Sequence, residues 1–163
     1  MGINEKIESV ADREGIITRV FDAPARLLYL AYTTPEHIMR WFGPKGWPLT
    51  KAEIDFRVGG EFHFRMTGPD GAFGPPFGGK YLEIVPDSKI SYDNGFELPH
   101  APRMLVTVTF DEKDGKTTMA ISTVFETIEM KESYVGQGYV GGTNSGLDNL
   151  EEFVGELEAR EHV

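Results

Sequence analysis

The sequence contains no cysteine among its 163 residues. A chain without cysteine has no disulfide framework, no thiolate metal site and no cysteine nucleophile, and this composition suits a reducing compartment. The sequence also has no run approaching the roughly 20 apolar residues of a membrane span, and its first residues lack the apolar segment of a signal peptide. We therefore expect a cytoplasmic protein that makes no membrane contact.

Basic residues are fewer than acidic ones, with 16 Lys and Arg against 26 Asp and Glu, which gives a net charge of -10. Phosphate backbones and anionic lipid surfaces repel a protein of this charge, so we expect no nucleic-acid partner. The length of the chain suffices for one domain with a full hydrophobic core. We expect a loose arm over residues 1–13 and a single domain over residues 14–160.

Sites for metals and nucleotides have little support in the sequence. The histidines lie far apart, at His37, His63, His100 and His162. This spacing is unlike that of a metal site, and no serine sits in a nucleophile elbow. Residues 74–80 resemble a phosphate-binding loop, but Tyr81 replaces its Ser or Thr and two prolines remove N–H donors. Residues 136–141 fit a dinucleotide fingerprint, but the chain ends before the strand and acidic residue that should follow. We expect neither a metal nor a cofactor.

Alternation of apolar and polar residues predicts about seven β-strands. Gly59-Gly60 and Asp114-Gly115 supply turn signals between neighbouring strands. Connections of about two to five residues join antiparallel neighbours, so the sheet is predicted to be antiparallel. The predicted strands cover residues 16–21, 52–58, 62–66, 79–85, 90–96, 104–110 and 119–125.

Two short helices are predicted after the first strand. Asp22 is the expected N-cap of the first helix. The second helix begins at Thr34, whose hydroxyl can cap it, and stops at Gly43-Pro44. This helix ends in two adjacent large aromatic side chains, Trp41 and Phe42, which need an apolar pocket to receive them.

A long C-terminal helix is predicted from apolar residues at spacings of three and four between Tyr139 and Leu157. Its start is open, near Lys131 or only near Thr143. Glycines in the segment 136–142 cost helix stability of about 1 kcal/mol each. They either let the backbone approach the sheet closely or leave space beneath the helix.

Five short motifs follow one another in a distinctive order. They are Arg19-Val20-Phe21-Asp22-Ala23-Pro24, Thr34-Pro35-Glu36 with Trp41-Phe42-Gly43-Pro44, Asp55-Phe56-Arg57-Val58-Gly59-Gly60, Gly68-Pro69-Asp70-Gly71 and Gly79-Lys80-Tyr81-Leu82-Glu83-Ile84. Together they resemble the Hsp90 ATPase activator homologue family, which belongs to the START-like, or Bet v 1-like, superfamily. The resemblance covers roughly residues 15–158.

The resemblance implies an α+β helix-grip fold. In this fold an antiparallel sheet curls round the long C-terminal helix, and two short helices after the first strand close one end of an internal cavity. Superfamily members bind hydrophobic small molecules there, and a few catalyse cyclisation or hydrolysis. The family name points to Hsp90, yet the eukaryotic activator has a separate N-terminal domain that supplies much of its chaperone contact.

Aromatic side chains are numerous enough to suggest a shared cavity lining, although ordinary core is the alternative for any single one. Tyr81 and Glu83 compete with Leu82 and Ile84 for the inner face of their strand. The side chains expected to face the cavity are those of Trp41, Phe42, Trp47, Phe62, Phe64, Met66, Tyr81, Glu83, Tyr92, Phe96, His100, Arg103, Phe125 and Tyr139.

His63 is the centre of a second polar group. It shares a strand face with Glu61 and Arg65 and is expected to pair with Glu53, Asp55 or Arg57 across the Gly59-Gly60 turn. The favoured interpretation is an outer face with cross-strand charge pairs. The alternative is that Arg57, His63 and Arg65 form an anion-binding lining on the concave face.

Three functions stay open. The leading hypothesis is noncatalytic binding of a hydrophobic or aromatic small molecule. An enzyme of the cyclase or hydrolase kind would use Glu83 or His100 as acid or base. A protein-binding module would contact a chaperone in a stress response, or a second copy of the chain in a homodimer, through a patch of interface size.

Overall fold

The structure is a computed structural model and describes residues 8–161. The strands are β1 (Glu14–Phe21), β2 (Leu49–Ile54), β3 (Glu61–Met66), β4 (Phe77–Val85), β5 (Lys89–Phe96), β6 (Met104–Lys113) and β7 (Lys116–Phe125). The helices are α1 (Val10–Arg13), α2 (Ala25–Thr33), α3 (Pro35–Trp41), α4 (Ile128–Gly136) and α5 (Tyr139–Glu161).

The seven strands form one sheet in the order β1-β7-β6-β5-β4-β3-β2. Every neighbouring pair is antiparallel, which confirms the predicted sheet. β2 ends at Ile54, earlier than predicted, and Val58 is exposed beyond it. The antiparallel sheet with its long C-terminal helix confirms the α+β helix-grip fold.

The C-terminal helix α5 supplies one side of the hydrophobic core. Its buried residues recur at spacings of three and four, as the sequence predicts. They join the inward-facing side chains of the sheet, together with those of α2 and α3, in one cluster. The buried residues of α5 are Gly146, Leu147, Leu150, Phe153, Val154 and Leu157.

Both predicted starts of the C-terminal helix are wrong. The chain forms the separate helix α4, breaks at Gln137 and Gly138, and then begins α5 at Tyr139. Gly138 has a φ of 92°, a left-handed backbone that glycine adopts without strain. α4 contains no buried residue.

The helix caps differ from the sequence prediction in two places. The N-cap of α2 is Pro24 rather than Asp22. The first N–H of α2, on Ala25, donates instead to Oε1 of Glu112 on β6 at 2.7 Å, so a distant strand replaces the local cap. Thr34 occupies the N-cap of α3, but its hydroxyl makes no capping hydrogen bond.

The arm expected over residues 1–13 lies partly outside the described residues, as do residues 162–163 with His162. Its described part is docked, which corrects the expectation of a loose segment. The Arg13 guanidinium donates to the carbonyl of Phe125 at 2.9 Å. Glu8 accepts a hydrogen bond from the N–H of Ile128 at 2.7 Å, so the arm connects the end of β7 to the start of α4.

Candidate functional site

A cavity of about 340 Å³ lies between the sheet and the helices. This volume is within the range of small-molecule sites, about 300–1,000 Å³. All helices except α1 contribute to its wall, as do β3, β5, β6 and β7. The lining residues are Tyr32, Trp41, Phe42, Gly43, Pro44, Met66, Tyr92, Asn94, Met104, Val106, Ile121, Thr123, Tyr134, Gln137, Gly138, Tyr139, Gly142, Thr143, Gly146 and Leu147.

Small residues on α5 leave room for the cavity. Gly142 and Gly146 are four residues apart and therefore lie on one face of the helix. A Cβ at Gly142 would lie 3.6 Å from Cβ of Pro44, and one at Gly146 would lie 3.7 Å from backbone atoms of Gly43 and Trp41. Longer side chains at Gly142 would extend into the cavity. The glycines of this segment were expected either to let the helix approach the sheet closely or to leave space beneath it. Gly142 fits the second explanation.

Trp41 forms a fixed part of the wall. Its side chain is only 3% exposed, and its indole N–H donates to the carbonyl of Ala31 at 3.0 Å. In a regular helix that carbonyl would accept from the residue four positions later, but Pro35 has no N–H. The indole therefore supplies the donor that α2 lacks at its end, and it also packs edge-on against Tyr32 at 4.7 Å between ring centroids.

Phe42 extends this wall towards the sheet. Its ring centroid lies 5.5 Å from that of Trp41, 5.9 Å from that of Phe64 and 6.4 Å from that of Phe77. Both aromatic side chains at the end of α3 therefore enter the apolar interior, as the sequence predicts.

Tyr139 and Thr123 hold each other at the cavity surface. The Tyr139 hydroxyl and Thr123 Oγ1 are 2.5 Å apart, so both groups are hydrogen-bonded within the protein. Burial raises the pKa of Tyr139, although hydrogen bonds with Thr123 and Thr143 act in the opposite direction. These two polar groups of the cavity wall therefore have a hydrogen-bond partner without a ligand.

The hydroxyls of Tyr32 and Tyr92 differ from that of Tyr139. Among the described residues, neither hydroxyl has a hydrogen-bond partner. Burial raises the pKa of Tyr32, and Tyr139 nearby raises it further. Burial also raises the pKa of Tyr92 well above its ordinary value, with smaller contributions from Tyr32, Tyr139 and Tyr81. Both phenols therefore stay protonated at neutral pH and can donate or accept a hydrogen bond.

The cavity wall contains no aspartate, glutamate, lysine, arginine or histidine among the described residues. Its polar groups are hydroxyls, amides and backbone atoms, and the rest of its surface is apolar or aromatic. A charged ligand buried there would have no side chain of opposite charge to offset its loss of water. The wall therefore favours uncharged, largely apolar molecules.

The structure brings part of the predicted lining together. Trp41, Phe42, Met66, Tyr92 and Tyr139 line the cavity. Four further side chains are buried in the core beside it rather than in its wall. They are Phe62, Phe64, Tyr81 and Phe125.

Glu83 does not face the cavity, because β4 contains a bulge. Tyr81 pairs with Tyr92 but Glu83 pairs with Ser91, so two steps on β4 match one step on β5. Leu82 is the extra residue, and the inside-outside alternation is shifted after it. Tyr81 is therefore buried, while the Glu83 carboxylate lies outside and pairs with Nζ of Lys89 at 2.8 Å.

Two aromatic side chains expected in the cavity lie elsewhere. Trp47 is 38% exposed and covers Gly68 and Gly74, where an added Cβ would meet its ring. Phe96 is 37% exposed at the end of β5. Trp47 lies in the loop between α3 and β2, and Phe96 is the last residue of its strand.

The two basic side chains expected in the cavity also lie outside it. His100 is exposed in the loop after β5, with a φ of 61°. Arg103 is held by hydrogen bonds to the carbonyl of Gly78 at 2.8 Å and to Oδ1 of Asp93 at 2.6 Å. These contacts connect the loop to β4 and β5, and they give Arg103 a structural partner in place of a ligand.

Asn94 also lines the cavity, although the sequence analysis did not place it there. Among the lining residues that were not predicted, it has the clearest sequence signal. It lies two residues after Tyr92 on β5, and residues two apart share a face of a strand. The period that placed Tyr92 inside therefore also places Asn94 inside. Its Oδ1 is buried and accepts no hydrogen bond from the described residues.

His63 lies on the outer face of the sheet, as the favoured interpretation predicts. Its neighbours Phe62 and Phe64 are buried on the inner face. Its Nδ1 is 2.5 Å from Oε1 of Glu97, and its Nε2 is 3.4 Å from Oε1 of Glu61. The hydrogen bond with Glu97 is the largest cause of a raised pKa at His63.

The alternative anion-binding lining is wrong, because its arginines have other contacts away from the concave face. Arg57 pairs with Asp55 at 2.9 Å. The guanidinium of Arg65 lies 4.0 Å from the centre of the exposed Phe73 ring. Within residues 8–161, no group of three acidic or histidine side chains is arranged to hold a metal ion. No helix in the same range is long and apolar enough to cross a membrane.

Comparison with family models matches residues 22–155 to the family described as Activator of Hsp90 ATPase homolog 1-like protein. This match covers most of the chain and confirms the resemblance carried by the five motifs. A comparison with curated proteins finds no match.

Several solved structures share the fold. A crystal structure of a protein from Nitrosomonas europaea has a TM-score of 0.81 at 22% identity and covers 91% of this chain and 98% of that chain. A solution structure from Arthrobacter aurescens has a TM-score of 0.82 at 25% identity, with 91% and 90% covered. One from Staphylococcus epidermidis has a TM-score of 0.75 at 28% identity, with 88% and 90% covered. Their descriptions name no activity, ligand or partner.

Proposed function

Because the chain belongs to the family of Activator of Hsp90 ATPase homolog 1-like proteins, whose fold commonly serves ligand binding, we propose that it binds a hydrophobic or aromatic small molecule without catalysing a reaction. The site is the cavity between the sheet, α3 and α5. The observation that carries the proposal is the cavity of about 340 Å³ with an aromatic wall and no ionisable acid or base other than tyrosine. Apolar pockets with a few polar groups are the common form of small-molecule sites.

Rigid aromatic side chains support a preformed site. Trp41 is fixed by its hydrogen bond to Ala31, and Tyr139 is fixed by its hydrogen bond to Thr123. A wall held in this way loses little side-chain entropy when a ligand binds, and preorganisation favours affinity.

The alternative hypothesis, an enzyme, named Glu83 and His100 as acid or base, and both lie outside the cavity. Glu83 lies outside and pairs with Lys89, and His100 is exposed on a loop. A general acid or base must come within hydrogen-bond reach of the substrate proton, and neither residue lines the cavity. Contact with a chaperone, homodimer formation and a cytoplasmic location remain predictions from the sequence.

The proposal is tested with the uncharged fluorescent probe N-phenyl-1-naphthylamine. We expect its emission to rise on binding and the melting temperature of the protein to increase with probe concentration. At about 100-fold excess of free probe over its dissociation constant, a ligand selective for the folded state stabilises it by about 2.7 kcal/mol. Absence of both effects would contradict the proposal.

A matched pair of variants locates the binding. Gly142→Leu places a side chain in the cavity, whereas the neighbouring Gly141 has open space around it and does not line the cavity. Gly142→Leu and Gly141→Leu add the same atoms to the same helix and both remove a helical glycine. We expect the first to abolish probe binding and the second to retain it. Equal binding by both variants would place the probe elsewhere and contradict the proposed site.

A further inference from the structure

Two tyrosine hydroxyls of the cavity wall have no hydrogen-bond partner among the described residues. Tyr32 reaches the wall from α2 and Tyr92 from β5, and neither hydroxyl bonds to another group in that part of the chain. Tyr139 differs, because its hydroxyl is bonded to Thr123. Tyr134 also lines the wall, but it is partly exposed on α4, a helix without buried residues. Tyr32 and Tyr92 therefore bring the unpartnered hydroxyls to the interior of the cavity.

Both hydroxyl oxygens keep some open surface. Within residues 8–161, the fully buried side-chain nitrogen and oxygen atoms without a partner belong to His37, Arg65 and Asn94. The oxygens of Tyr32 and Tyr92 also lack a partner but are not fully buried. The space that both residues line is the cavity, with a smaller void of about 20 Å³ beside it. A ligand in the cavity can therefore approach these two oxygens.

The two hydroxyls need a hydrogen-bond acceptor. Burial raises the pKa of Tyr92 well above its ordinary value, and Tyr32 and Tyr139 nearby raise it further. The hydroxyls therefore lie near one another and keep their protons at neutral pH. A phenol has one proton to donate, and a buried donor without an acceptor is unfavourable. The described residues put no carboxylate in the wall, so the ligand is the source of the acceptor.

Charge restricts the acceptor further. The described part of the wall has no lysine, arginine or histidine to pair with an anion. The protein as a whole carries a net charge of -10, which adds long-range repulsion of anions. An anionic ligand would lose its water without gaining a cation, and that loss is costly. An uncharged acceptor, such as a carbonyl oxygen, avoids this cost.

We infer that the ligand is an uncharged aromatic molecule with a hydrogen-bond acceptor, such as a carbonyl oxygen, to which the hydroxyls of Tyr32 and Tyr92 donate. This inference rests on the proposed function and names the ligand class of that site. It makes the two tyrosines determinants of specificity, while the apolar and aromatic side chains of the wall pack against the rest of the ligand.

Two probes of the same shape test the acceptor, each in competition with N-phenyl-1-naphthylamine. 2-Acetylnaphthalene carries a carbonyl oxygen, which accepts hydrogen bonds and donates none. 2-Isopropenylnaphthalene has a methylene group in place of that oxygen. Water solvates the ketone better than the alkene, so the informative quantity is the ratio of their dissociation constants, ketone over alkene, compared between variants. A third probe, 2-naphthoate, carries a charged acceptor, and we expect it to bind the wild type at least about tenfold more weakly than 2-acetylnaphthalene.

The double variant Tyr32→Phe with Tyr92→Phe removes both hydroxyls and keeps both rings. We expect it to raise the ratio about tenfold, as the loss of one or two net hydrogen bonds does, while binding of the alkene is unchanged. The variant should fold, because neither hydroxyl leaves an unpaired group behind in the described residues. Tyr29→Phe is the matched control, because Tyr29 shares α2 with Tyr32 but does not line the cavity. This control should keep the wild-type ratio.

The outcomes separate the two proposals. An unchanged ratio in the double variant would mean that the hydroxyls do not hold the acceptor, as when water in the void of about 20 Å³ satisfies them. The inference then fails, while binding of the alkene leaves the proposed function standing. Binding of 2-naphthoate as tight as that of 2-acetylnaphthalene would overturn the restriction to uncharged ligands. If none of the three probes binds and N-phenyl-1-naphthylamine does not bind either, the proposed function itself fails.

Discussion

Replacing Trp41 with alanine is expected to lower the free energy of unfolding by about 3 to 5 kcal/mol, the range for truncation of a buried large aromatic side chain. The ring is 3% exposed and packs against Tyr32 and Phe42. Because small domains are stable by only about 5–15 kcal/mol, this loss is a large part of the total.

The milder variant Trp41→Phe isolates the indole hydrogen bond. It keeps an aromatic ring but leaves the carbonyl of Ala31 without a donor, since Pro35 cannot replace it. Ala31 is fully buried, so we expect a loss of about 1–3 kcal/mol, the cost of an unsatisfied buried acceptor. This variant keeps the prediction measurable if the alanine variant fails to fold.

Urea unfolding followed by far-ultraviolet circular dichroism measures both losses without relying on tryptophan fluorescence. The matched control is Trp47→Phe, because Trp47 is 38% exposed and its indole makes no hydrogen bond to the described residues. We expect this control to lose less free energy of unfolding than Trp41→Phe, because it removes no hydrogen bond and its ring is already partly solvated. An equally small effect of Trp41→Ala, at an unchanged urea dependence, would refute the packed indole wall.

Two other predictions concern the outer surface. The pKa of His63 is raised in the folded protein, mainly by its hydrogen bond with Glu97, so its stabilising contribution is complete below about pH 6.5 and is lost as the pH rises through the folded-state pKa. His63→Gln should flatten that decline in the urea midpoint, and an unchanged pH profile would contradict this assignment. Gly136→Ala and Gly141→Ala should each raise the free energy of unfolding by up to about 1 kcal/mol, because both glycines have open space around them. A lowered melting temperature in either variant would reveal a need for glycine that the packing does not show.

The fold was largely predictable because its periodic signals are long. Strand β7 alternates over its ten residues and β6 over Met104 to Asp111, and α5 repeats its buried positions over about three turns, from Gly146 to Leu157. The family motifs then gave the arrangement of these elements. The break at Gln137 and Gly138 was not predicted, because a glycine in a helical pattern does not indicate whether the helix continues or ends there.

The candidate site was only partly predictable, for local reasons. Counting residues in twos along β4 fails after Leu82, because the bulge shifts the alternation and moves Glu83 outside. Phe96 follows the alternation of its strand correctly but lies at the strand end, where it is partly exposed. Asn94 follows the same alternation two residues after Tyr92, but an amide side chain on the inner face of a strand does not by itself indicate a cavity.

The break between α4 and α5 should control the rate at which a ligand enters and leaves the cavity, but not its affinity. α4 contributes no buried residue, and Gln137 and Gly138 at the break belong to the cavity wall. Segments with few buried contacts open locally at a small fraction of the free energy of global unfolding. Changes in α4 outside its wall residue Tyr134 should therefore alter association and dissociation rates together, while a change at Gly142 alters the equilibrium constant.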